Sequence, residues 1–226
     1  MINILLEGYR FDADWLYGAL KSYIKPHHRV AVVALSFRDS RVKNAEEWEH
    51  LYGKEKGSVG RGICSAFSAY GIGEESISFI NYFTDTNESA AKKIRNADIV
   101  FFPGGVPDKM MERIYELGLY DVLCEYNGIV MGYSAGALIQ LSEYHLSPDH
   151  DYPVFAYYKG LPYLGGFCLE VHYEGRDVQK EAIERVISER GMPVYATSLM
   201  KGAIVVDNGK IQALGDVFVF GDGGEG

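Results

Sequence analysis

Along its first half the chain alternates short apolar runs with longer segments whose apolar residues recur at helical spacing, which predicts βαβ units. Residues 2–6, 30–35, 76–80 and 99–102 read as strands. The run at 30–35 is apolar on both faces, as a buried parallel strand requires. Residues 12–23 carry helical spacing at Trp15, Leu16 and Leu20. Residues 85–95 predict a helix entered through Thr86 or Asn87, and 108–126 predict another. Between the strands at 30–35 and 76–80, 44–70 reads as mostly helical, broken over 53–62 by glycines and lysines that predict a loop or a mobile flap.

The pattern changes sharply at Gly132-Tyr133-Ser134-Ala135-Gly136, where an apolar strand turns straight into an apolar helix with Ser134 at the tip. Small flanking residues let strand and helix approach, and such a turn presents a hydroxyl at a helix N-terminus. The amide of Ala135 then points to where a tetrahedral oxyanion would form. One element earlier, the strand at 99–102 runs into Pro103-Gly104-Gly105 before a helix, and a parallel sheet would place both turns at its carboxyl edge. A diglycine there lets backbone come close to a substrate and can supply a second oxyanion amide near Gly105. Taken alone, each turn is equally well explained by steric convenience.

Downstream, 142–162 is polar and aromatic, and it gathers Glu143, His145, Asp149, His150 and Asp151. Their spacing fits no usual metal-ligand pattern, so a solvated loop is expected. Residues 165–174 read as a strand ending at His172, and 179–190 as an amphipathic helix. Short strands follow at 194–197, 203–206, 210–213 and 217–220, with a hairpin turn at Asp207-Asn208-Gly209, and 221–226 should fray.

Composition narrows the function classes. With 47% hydrophobic residues in 226, one large α/β domain can bury a full core. Basic residues number 22 against 31 acidic, a net charge of −9, and no basic stripe suits a phosphate backbone, so nucleic acid is not an expected partner. The opening apolar run is too short for a membrane span and lacks the flanks of a signal peptide, so a cytoplasmic protein is expected. Cys64, Cys124 and Cys168 form no CxxC pair and read as ordinary small core residues. No GxGxxG or phosphate-binding loop is present. No metal or organic cofactor is therefore called for.

A serine that attacks a carbonyl needs a base, usually a histidine held by an acid. Downstream of Ser134 stand His145, His150 and His172. His172, at a strand end, is the preferred base because the strand would hold it rigidly. Glu170 shares a strand face with it and is one choice of acid.

Three features, Phe101-Phe102-Pro103-Gly104-Gly105 before a helix, Gly132-Tyr133-Ser134-Ala135-Gly136-Ala137, and Gly160-Leu161-Pro162-Tyr163-Leu164-Gly165 running on to His172-Tyr173, resemble the peptidase E and cyanophycinase family of serine peptidases. The resemblance covers about residues 97–176. It implies a fold like that of class I glutamine amidotransferase domains, a mostly parallel central sheet flanked by helices. It further implies Ser134 as nucleophile, His172 as base, and the amides of Gly105 and Ala135 as oxyanion hole. Asp149 falls where peptidase E has an aspartate implicated in activity. Family members also carry an acid just before a late strand, but the matching stretch here, 198–202, has none. The acid is thus Asp149 or Glu170. The expected function is a peptidase acting on small, dipeptide-like substrates. A non-catalytic homologue that binds a small ligand is the first alternative. A glutamine amidotransferase-like enzyme is disfavoured because no cysteine stands at the elbow, and an α/β-hydrolase esterase because its acid and histidine lie further along the chain.

Overall fold

In the computed structural model, which describes residues 1–221, the apolar runs become neighbouring strands of one sheet. The expected fraying end therefore lies, from 222 onward, outside the described residues. Strand β1 (Ile2–Leu6), α1 (Asp14–Leu20), β2 (Val30–Val33), α2 (Ala45–Tyr52), α3 (Ser58–Ser68), β3 (Ile77–Ile80), α4 (Asn87–Arg95) and β4 (Ile99–Phe102) form the first half. Then come α5 (Pro107–Glu116), α6 (Tyr120–Cys124), β5 (Ile129–Tyr133), α7 (Ala135–Leu138), β6 (Glu143–Leu146), β7 (Ala156–Lys159), β8 (Cys168–Tyr173), α8 (Asp177–Arg190), β9 (Val194–Asp207) and β10 (Lys210–Phe220).

The sheet order is β10-β9-β1-β5-β4-β2-β3, with β8 also paired to β9. Strands β3, β2, β4, β5 and β1 are mutually parallel, β9 is antiparallel to β1, and β10 is antiparallel to β9. The fold is the expected α/β type, mostly parallel with an antiparallel extension. Its core lies on both faces because successive strand residues point to opposite sides. Leu5, Val100, Phe102 and Val130 pack with α4, α5 and α7 residues, whereas Ile4, Leu6, Phe101 and Met131 pack with residues of α1, α2 and α3. Truncating one of these large side chains to alanine should cost about 2–5 kcal/mol.

Four expectations change. Of residues 53–62 only 53–57 form the expected loop, and 58–62 are helical: α3 begins at Ser58, and its Ile63, Ala66 and Phe67 recur on one face that is buried. The helix expected over 108–126 is two helices, α5 and α6. The stretch 142–162 is not a solvated loop throughout, since β6 and β7 pair antiparallel within it and Tyr144 and His145 are buried. The short C-terminal strands merge into two long ones joined at Asn208 and Gly209, both with positive φ, as the expected hairpin turn requires. The capping expectation at α4 holds: Thr86 accepts from the Ser89 amide, and the Ser89 side chain returns to the Thr86 amide.

One consequence of β9's length organises the site. Its early residues pair parallel with β8, up to Ser198 against Tyr173, and its late residues pair antiparallel with β1, from Ala203 against Leu6. The carboxyl ends of β8 and β1 therefore run toward each other along the same strand. The carboxyl end of β5 joins them, because Tyr133 pairs with Leu6.

Candidate active site

At the end of β5 the chain turns into α7 through Ser134, which has φ 51° and ψ −116°. That conformation is costly for a residue with a side chain, of order 1–3 kcal/mol. The elbow survives because it is anchored on all sides. The Ser134 amide donates to the Leu6 carbonyl at 2.9 Å. Gln140 donates to the Gly136 carbonyl at 3.0 Å and is itself held by Asn3 at 3.1 Å. The flanking glycines permit close approach: a Cβ on Gly136 would lie 2.0 Å from the Phe102 carbonyl oxygen, and one on Gly132 would lie 2.2 Å from that of Gly136.

At the end of β8, the register against β9 passes from Glu170 directly to Tyr173, so the strand bulges at Val171 and His172. His172 has φ 54° there, a left-handed conformation that re-aims its ring. Ser134 Oγ and His172 Nε2 are 2.8 Å apart. On the other side of the ring, Nδ1 forms an ion pair with Glu7 Oε2 at 2.6 Å. Among the described residues neither of these two buried atoms has a hydrogen bond to any other group, so the ion pair is their common polar contact. Glu7 Oε1 accepts from the His172 amide and from Thr197 Oγ1, each at 2.7 Å. The Glu7 side chain is 2% exposed and that of His172 is 42% exposed, so the acid is sealed while the base reaches the surface. Burial presses the His172 pKa down, but the contact and charge of Glu7, helped by Glu170 and Glu174, outweigh it and hold the imidazole above its ordinary value.

The acid beside His172 is thus Glu7 and neither of the two residues expected. Asp149 Oδ1 accepts from the amides of Asp151 and Tyr152, closing its own turn. Glu170 Oε2 accepts from His145 Nε2 at 2.8 Å and from Ser147 Oγ at 2.7 Å. Sharing a strand face with His172 fails as a criterion here because the bulge between them rotates the histidine out of the regular alternation. Glu7 did carry a signal: it is a carboxylate directly after an apolar strand and before Gly8, at the sheet edge where α/β ligands bind. His150 is exposed, beside Asp151, and His145 is buried against Glu170.

The diglycine turn abuts the elbow, since a Cβ on Gly104 would lie 2.5 Å from the Tyr133 ring and 3.3 Å from Ser134 Cβ. Gly105 has φ 144°, and a Cβ on it would lie 2.1 Å from the Ser36 carbonyl oxygen. Ser36 fastens this turn from below, its hydroxyl donating to the Gly104 carbonyl at 2.7 Å and its carbonyl accepting from the Val106 amide at 2.8 Å. Ala135 opens α7, whose first amides have no partner within the helix. Burial pushes the Cys64 and Cys168 thiols up to about 11, which suits core residues and not nucleophiles. Among the described residues no group of three or more His, Cys, Asp or Glu could hold a metal ion, and no helix is long and apolar enough to cross a membrane.

The sequence matches Peptidase family S51 over residues 63–214, a span that starts beyond Glu7. No curated protein matches it. Among solved structures it is similar to a candidate peptidase E protein from Listeria monocytogenes EGD-e, with a TM-score of 0.67 and 15% identity, covering 95% of this chain and 98% of the other. It is also similar to a peptidase from an acI-B1 Actinobacterium, with a TM-score of 0.57 and 16% identity, covering 95% and 87%. At such identities the likeness is one of fold. The family match spans most of the chain and includes both Ser134 and His172, and the protein belongs to Peptidase family S51.

Proposed function

We infer that this protein is a serine peptidase that hydrolyses short peptides of the dipeptide class, with Ser134 as nucleophile, His172 as general base and Glu7 as the acid that orients it. The observation that carries this reading is the unbroken line from Ser134 Oγ to His172 Nε2 at 2.8 Å and from Nδ1 to Glu7 at 2.6 Å. Ser134 Oγ would attack the peptide carbonyl carbon while its proton passes to Nε2. The Glu7 carboxylate, 2.6 Å from Nδ1, would hold the ring in place and stabilise the imidazolium. The oxyanion would face the amides of Gly105 and Ala135. Collapse returns the proton from Nε2 to the leaving amine, and water then releases the acyl group from Ser134 by the same steps. The non-catalytic alternative rested on a missing acid, and Glu7 removes that reason for it.

The family match and the peptidase E name of the Listeria structure support a peptidase. The test is to offer dipeptides, tripeptides and an unfolded protein and to follow new amino termini. Cleavage of the short peptides by wild type and not by Ser134→Ala is expected. Cleavage of the unfolded protein alone, or equal cleavage by Ser134→Ala, would overturn the reading.

A further inference from the structure

Behind the catalytic histidine, in the first turn of α8, lies Gln179, which is buried. Its Oε1 accepts from the amides of Glu174 at 3.0 Å and Arg176 at 3.4 Å. Its Nε2 donates to the His172 carbonyl at 2.9 Å and to Glu170 Oε1 at 3.2 Å. A carboxamide has two N–H groups and two lone pairs, and here all four are engaged. The pattern admits one orientation, since the amide nitrogen faces two acceptors and the oxygen faces two donors. Glu170 is held in turn by His145 and Ser147, both on its other oxygen. Glu170, one of the two acids expected from sequence, anchors this network.

The network ends on the backbone of one residue. His172 has no partner in β9 and sits at φ 54°, a conformation a histidine in a regular strand would not hold. Its amide is taken by Glu7 and its carbonyl by Gln179. We propose that Gln179 is a positioning residue: it clamps the His172 carbonyl and the two amides beyond it, so that the bulge keeps its left-handed turn and the imidazole stays between Ser134 and Glu7. Without the clamp the backbone is free to relax toward ordinary strand geometry, and the ring swings away from both partners. The proposal rests on the serine peptidase reading for its kinetic arm only.

The test compares Gln179→Met, similar in length but unable to hydrogen-bond as an amide, with Val186→Ala, which opens a buried site further along α8 without touching the network. Two quantities are read in each: kcat on a short peptide, and the His172 titration followed by proton NMR of the ring. The charged groups facing that ring are Glu7 from the end of β1, Glu170 on its own strand and Glu174 just after it, with Arg176 lining the same cleft. Gln179→Met should lower kcat by about 10²-fold, the scale of a misplacement near 1 Å, with KM little changed. Its His172 titration should move to lower pH as the ring leaves Glu7. Val186→Ala should lower Tm yet keep kcat and the titration. A Gln179→Met protein with wild-type kcat and titration overturns the proposal, and so does one whose kcat falls while the titration stays put. If that variant does not fold, Gln179→Asn, one methylene too short to reach the carbonyl, decides by the same two readouts. The titration reports ring placement whether or not peptides are cleaved. Absent wild-type turnover therefore counts against the peptidase reading, and an unmoved titration counts against the clamp.

Discussion

Glu7 and His172 are 165 positions apart, yet one carboxylate holds both the ring and the backbone of that histidine, Oε2 at 2.6 Å from Nδ1 and Oε1 accepting the His172 amide at 2.7 Å. The meeting follows from β9, which carries β8 and β1 with their carboxyl ends facing each other. Replacing the charge while keeping the shape isolates its contribution. Glu7→Gln should lower turnover by about 10⁴-fold, the cost seen when a triad acid loses its charge and the histidine its correct tautomer. Asp149→Asn should cost far less. Steady-state kinetics on a short peptide would measure both, and a large loss in Asp149→Asn with little loss in Glu7→Gln would return the acid's role to Asp149.

The raised pKa of His172 sets a pH dependence. As the proposed base, His172 would act as the neutral imidazole, so kcat/KM should rise with pH through a midpoint above about 6.5, the unperturbed histidine value. In a Glu7→Gln protein the midpoint should fall, because burial then acts with less opposition. Stability runs the other way. A folded pKa above the unfolded one adds stability below the unfolded pKa, and that addition is lost as pH rises through the folded pKa. Wild type should therefore lose more of its Tm than Glu7→Gln does between about pH 6 and about pH 8.

Strain at the elbow has its own signature. Ser134→Gly and Ser134→Ala both remove the hydroxyl, but glycine accepts φ 51° and ψ −116° without a Cβ penalty. Thermal unfolding should find the glycine variant more stable than the alanine variant by about 1–2 kcal/mol. Greater stability of the alanine variant would mean the turn is unstrained.

The elbow's tolerance for bulk is equally specific. A Cβ at position 136 would lie 2.0 Å from the Phe102 carbonyl oxygen, where main chain and not a flexible side chain must give way. Gly136→Ala should cost about 1–3 kcal/mol or more, the range for overpacking, and should reduce labelling at Ser134 as α7 is pushed from β4. A variant with unchanged Tm and unchanged reactivity would show that the helix can move freely.

The strands β1 to β5 were legible because each is a short, mostly apolar run, interrupted by Asn3 in β1 and Ser78 in β3, and the elbow was legible because its glycines and serine lie within five consecutive residues. Ser134 and His172 could be singled out because a turn motif and a strand end are local features. Glu7 carried only the local signal of a carboxylate at a strand's end, and its place beside His172 depends on strand order and on β9 pairing with both β1 and β8. His172's bulge defeated the alternation rule that favoured Glu170. Buried Tyr144 and His145 were hidden by the polar residues around them, which read as a loop although they form a paired β-hairpin.

The most direct test of the Ser134, His172 and Glu7 assembly is the rate of covalent labelling by a fluorophosphonate, with the modified residue mapped by mass spectrometry. It needs no knowledge of the natural peptide. The expected result is one adduct, on Ser134, formed rapidly by wild type, slowly by His172→Ala and Glu7→Gln, and not at all by Ser134→Ala. Labelling of wild type and Ser134→Ala at the same rate, or of neither, would contradict the account.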